Sequence, residues 1–130
     1  MKRSKVMPGR ERGAVAVEFA LIAPVLLLIV VGILEFSNFY NLQISVTQAA
    51  REAAREMAVS NDVGLAAAAG VAGAPGVAIA PGNFAFSGAC TPGATVTATV
   101  TFTRPALTGF FSPTVTVTGE GAMRCERLPD

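Results

Sequence analysis

Apolar and polar positions along the chain change pattern four times, and each change predicts an element. From Ala14 to Leu34 there are 21 residues with one charge, Glu18. A run this long with no polar face predicts a membrane-spanning helix, which needs about 20 apolar residues at about 1.5 Å each. From Glu35 to Ala58 there is no Gly or Pro, and Ala, Glu, Arg, Gln and Met gather in the second half. These are good helix formers, so the helix is expected to continue beyond the span. Phe36, Tyr40, Ile44, Thr47, Ala50, Ala54 and Met57 recur every three or four residues and give a modest apolar stripe. Alanines 49, 50, 53 and 54 suit either a solvated face or a packing surface for neighbouring subunits. Ser60-Asn61-Asp62 breaks the pattern and can cap a second helix over Val63–Val71. Gly and Pro then recur every few residues from Gly73 to Gly93, which is turn chemistry with two candidate short strands, Val77–Ile79 and Phe84–Phe86. Ala94–Thr103 alternates strictly between apolar residues and Thr, and Thr114–Met123 begins the same way. Both predict strands with one buried face.

The implied fold class is α+β: a long N-terminal helix followed by a small domain with an antiparallel hairpin. The organisation is a basic leader (1–13), a transmembrane helix (14–34) with a bend at Pro24, its continuation outside (35–58), a short helix with Gly/Pro-rich loops (59–93), the hairpin (94–125) and a tail (126–130). Placing the buried faces opposite each other pairs Phe102 with Pro113 and Val100 with Val115. Extended, that register sets Cys90 opposite Cys125. The linker 104–113 carries Leu107, Phe110 and Phe111 and is expected to fold back over the sheet or the helix; a partner or membrane contact is the other reading, since exposed apolar patches often mark one.

Charge orients the chain. Five basic residues and one acid precede Ala14, giving +4; five basic and eight acidic residues follow, giving −3, so the net +1 hides a division. Basic residues ahead of a span predict a cytoplasmic N-terminus. The C-terminal domain then lies outside, periplasmic or extracellular. Topology explains the leader's charge better than nucleic-acid binding does, and no nucleic-acid partner is expected. In the oxidising outer compartment two cysteines pair by default, so a Cys90–Cys125 disulfide is expected; a cytoplasmic domain would leave two free thiols. A secretory signal peptide is disfavoured, because the apolar run exceeds 7–15 residues and is followed by bulky, polar EFSNFY with no small-residue cleavage site.

Finer features narrow the class. The leader closes with Gly13, and Glu18 and Phe19 stand just inside the apolar run. A carboxylate inside a membrane is costly and usually has a partner or a task. Lying near the interface, Glu18 could instead snorkel to water. Leader, Gly13, Glu18 and Phe19 together resemble type IV prepilins, in which a peptidase cuts after the glycine. With Pro24, the GILEF at 32–36, the AAREAARE at 49–56 and the GEGAMRCE at 119–126, the chain is most similar to TadE-like pseudopilins of the tight-adherence (Flp) pilus system. That resemblance implies cleavage between Gly13 and Ala14. It also implies a pilin-like subunit held in the cytoplasmic membrane or carried in the pilus, with Glu18 meeting the free amine of a neighbouring subunit's first residue. The partners implied are the prepilin peptidase, other pilin or pseudopilin subunits and the pilus assembly platform.

Catalysis is not expected. There is no His, the usual general base and metal ligand. Both lysines are in the leader, the acids are scattered, and the glycines lack the strand–helix frame of a phosphate loop. No metal and no cofactor are implied. Two classes remain: a non-enzymatic minor pilin, and an unprocessed single-pass membrane protein with an external partner-binding domain.

Overall fold

The computed structural model describes residues 9–126, so most of the leader and the tail beyond Glu126 lie outside the described residues. Helix α1 runs from Gly9 to Ser60, 52 residues, and passes through Pro24 without interruption. At 1.5 Å per residue it is about 78 Å long, far longer than a small domain needs. Helix α2 follows at Val63–Ala72, capped by Asp62, whose side chain accepts from the Leu65 amide at 2.9 Å. A single 3₁₀ turn, Pro81–Asn83, leads into strand β1 (Phe84–Ser87), then β2 (Thr95–Pro105) and β3 (Thr114–Arg124). The sheet is an antiparallel meander of order β1-β2-β3.

The first half of α1 and the second half live in different surroundings. No part of the apolar window of α1 is buried, and the helix is long and apolar enough to cross a membrane. From Leu42 on, one face is covered: Leu42, Val46, Ala49, Ala50, Ala53, Ala54, Met57 and Ala58 are buried against the sheet and α2. Opposite them stand Val96, Ala98 and Val100 of β2 and Val117 of β3. Nine of the 17 buried apolar residues among those described are alanine. Each offers less area than the Val or Leu side chains whose burial contributes about 1.5–3 kcal/mol, so stability depends on close approach and on covalent closure.

Close approach comes from two glycines on the inner face of β3. A Cβ at Gly119 would stand 2.7 Å from the Val46 carbonyl oxygen, and one at Gly121 would stand 2.7 Å from the carbonyl group of Ala50. Two residues along the strand match four along the helix. The alanine face of α1 thus lies directly on bare strand backbone.

Four expectations from the sequence are corrected here. The apolar stripe from Phe36 to Met57 is buried only in its C-terminal part, at Ala50, Ala54 and Met57, while Phe36, Tyr40 and Ile44 are 68%, 58% and 55% exposed. Gly119 and Gly121 let the helix backbone at Val46–Thr47 and Ala50–Arg51 come down onto the strand, and the neighbouring Leu42, Val46, Ala49, Ala50 and Ala53 turn inward. The run at 49–56 therefore packs on its own sheet, neither solvated nor free for a neighbour on its alanine side. Val77–Ile79 is not a strand: Val77 and Ile79 donate backward to Ala74 and Val77 in tight turns, while Ile79 drops into the core. Finally, the hairpin register is four residues away from the expected one, pairing Phe102 with Val117 and Val100 with Gly119. The turn centres on Gly109 and Phe110 because Gly109, at φ +70°, supplies the left-handed conformation. An even displacement keeps the same residues facing inward, so β2 alternates as predicted.

Candidate functional site on the N-terminal helix

Gly13, Ala14, Glu18, Phe19 and Pro24 all lie on the exposed part of α1. Ala14 and Glu18 are four residues apart, which sets them on one helix face a turn from each other. Phe19 is 72% exposed. A Cβ added at Gly13 would meet nothing within 4 Å. Packing within the chain therefore gives no reason for glycine there. The turn around Gly13 is helical. Glycine costs a helix about 1 kcal/mol relative to Ala, which eases local unwinding at this position.

The aromatic residues displaced from the core form a surface of their own. Ile29, Ile33, Phe36, Tyr40 and Ile44 line a shallow apolar groove that includes Gly32 and runs from the apolar segment into the outer half of α1. Phe36 and Tyr40 stack with ring centroids 6.2 Å apart.

On the sheet side, three polar residues of α1 tie the hairpin down, two of them, Glu35 and Asn38, on the apolar-segment side of the buried stripe. The Gln43 amide donates to the Thr118 carbonyl at 2.8 Å. The Arg104 guanidinium donates to the Asn38 side chain at 2.6 Å. Glu35 accepts from the Thr108 hydroxyl, from the Thr108 amide at 2.5 Å and from the Leu107 amide at 3.3 Å. The Thr108 hydroxyl and amide hold the Glu35 carboxyl below its ordinary pKa, outweighing the desolvation that opposes them. Sequence reading passes over Glu35 and Asn38 as interruptions of an apolar pattern. The signal for them was their phase: 35, 38, 42, 46 and 49 fall on one face at helical spacing.

Cys90 and Cys125 are joined in a disulfide with Cα atoms 5.5 Å apart. The route differs from an extended ladder. The partner of Cys125 across the sheet is Ala94, whose carbonyl accepts from the Cys125 amide at 2.8 Å, and the Gly93 amide donates back to Cys125. Gly88 and Gly93, both at positive φ, fold the β1–β2 connection so that Cys90 returns to the end of β3. Among the described residues no three His, Cys, Asp or Glu gather as a metal site would require.

Comparison with known proteins adds one finding. Residues 13–55, 43 of 130, match the family model of TadE-like proteins. Neither a curated protein nor a solved structure matches the chain.

Proposed function

We propose, because residues 13–55 match the TadE-like family model, that this chain is a non-enzymatic minor pilin-like subunit that takes part in assembly of a tight-adherence pilus. It is processed after Gly13, held in the cytoplasmic membrane by residues 14–34, and displays residues 35–126 outside. The observation that carries the reading is a helix far longer than its own domain can cover, with an N-terminal half in which no residue of the apolar window is buried. In water such a surface is untenable; lipid and the helices of neighbouring subunits are its natural surroundings. The open groove from Ile29 to Ile44 offers one of those helices a mostly apolar track, interrupted by Ser37 and Asn41. Pro24 removes one backbone hydrogen bond inside the span and is the position at which it would bend on packing. Glu18 meets the new amine that cleavage creates on a neighbouring subunit's Ala14, and that opposite charge offsets the cost of a carboxylate in lipid.

The mass of the mature protein from membranes of its native host tests this. Cleavage between Gly13 and Ala14 is expected, and Gly13→Val should remain at full length while still inserting. An intact N-terminus in cells with an active prepilin peptidase would overturn the reading and favour a plain single-pass anchor.

A further inference from the structure

The β2–β3 loop, residues 106–113, has the composition of a buried segment and the position of an exposed one. Ala106-Leu-Thr-Gly-Phe-Phe-Ser-Pro113 holds no charge. Leu107, Phe110 and Phe111 are 59%, 66% and 60% exposed, at the tip of a hairpin whose remaining apolar residues mostly face the core. The tip is well defined: the Ala106 amide donates to the Pro113 carbonyl at 3.1 Å, closing the loop, and the two Phe rings meet edge to face at 5.2 Å.

Its direction matters more than its composition. The loop is fastened to Glu35, the first residue after the apolar run, and from there it points back along α1 toward the N-terminus. Phe111 comes within 3.8 Å of where a Cβ on Gly32 would be. Phe110 lies beside Pro24, Leu27, Leu28 and Val31. Those residues precede Glu35 by 4 to 11 positions, so Phe110 stands about 6–16 Å below Glu35 along the helix axis. Where residues 14–34 cross a bilayer, that depth is within the hydrocarbon, whose half-thickness is about 15 Å.

We propose that the β2–β3 loop is a second membrane anchor, in which Phe110, Phe111 and Leu107 insert into the acyl chains of the outer leaflet beside the span. The proposal rests on the reading that residues 14–34 cross the membrane. The occupant of the patch is lipid: the loop continues the apolar surface of the span without a charged residue between them, and Glu35, ionised and hydrogen-bonded, marks the level at which polar contact resumes. A loop immersed there and tied at Glu35 fixes how the external domain rotates and tilts about α1. The domain lies with its hairpin end down on the bilayer and does not swing on a free stalk. Tilt and rotation of a single span are otherwise set only by neighbours and interfacial residues.

The chain has no Trp, so one introduced indole reports its own surroundings. Full-length Phe110→Trp, and separately Phe111→Trp, would be reconstituted in phosphatidylcholine vesicles with bromine on the acyl chains, beside a Leu26→Trp reference inside the span. Expected are blue-shifted emission and strong bromine quenching at position 110 or 111, approaching that at 26, with little quenching by aqueous iodide. Adding Glu35→Ala should raise iodide quenching at position 110 several-fold and leave position 26 unchanged. Strong quenching at 26 with iodide-quenched, red emission at 110 and 111 would overturn the loop anchor and leave the span intact. Blue emission at 110 with weak bromine quenching that falls further as protein is concentrated would assign the patch to a neighbouring subunit and overturn it also. Loss of bromine quenching at all three positions would refute the span first and the anchor with it.

Discussion

Substituting alanine at Gly121 tests whether α1 is seated on bare strand backbone. The new Cβ would stand 2.7 Å from the backbone of Ala50 and Arg51. Carbon atoms rest at about 3.5–4.0 Å, so the helix must withdraw by close to 1 Å. No flexible side chain is in the way to yield instead. A gap of that size forfeits a quarter to a half of each dispersion contact along the seam, and overpacking of this kind costs about 1–3 kcal/mol. Alanine also restricts the unfolded chain, which offsets about 0.4–1 kcal/mol. The net loss is about 1–2 kcal/mol, or about 5- to 30-fold in the population of the open state. Hydrogen exchange of the β2 amides from Val96 to Val100, in the full-length protein in detergent micelles, reads this directly. Gly119→Ala should act similarly. The double variant should cost less than the sum, because one withdrawal of α1 relieves both clashes. Gly82→Ala is the control, since nothing lies within 4 Å of a Cβ there. If Gly121→Ala exchanged like the control, the helix would not rest on the strand and the assignment of the alanine face to the core would fail.

Two further outcomes are expected. Glu18→Gln or Glu18→Ala should leave membrane insertion unchanged and impair piliation when present as the only copy; normal piliation with the Ala variant would count against a role in assembly. Unfolded, unreduced protein should show no alkylatable thiol, and Cys90→Ser with Cys125→Ser should lower stability by about 4 kcal/mol in the chain-entropy model for a separation of 35 residues; two reactive thiols in that unfolded, unreduced protein would refute both the bond and the external placement of the domain.

Local pattern was enough to read a helix long and apolar enough to cross a membrane, its continuation in α1, the Asp62 cap and the alternation of β2. Each depends on spacing within a few residues, and an apolar run of 21 or an unbroken Thr/apolar alternation has few other solutions. The cysteines were legible as a pair, though by a register that the fold does not use: they meet because Gly88 and Gly93 turn the chain back, and not because a strand continues to Cys90. What the tertiary structure decided were choices between surfaces of similar hydrophobicity. Spacing alone joins Phe36, Tyr40 and Ile44 of α1 to Ala50 and Ala54 in one stripe, of which the aromatic part is exposed and the alanine part buried. By hydrophobicity the aromatic part looks like core; the alanine part is buried because Gly119 and Gly121, some 70 residues away in the chain, let the helix backbone approach the strand. The same distance hid Glu35, whose hydrogen bonds come from a loop that no local pattern connects to it. A one-dimensional pattern ranks faces by hydrophobicity, whereas packing selects them by how closely two backbones can approach, and that depends on residues far apart in sequence.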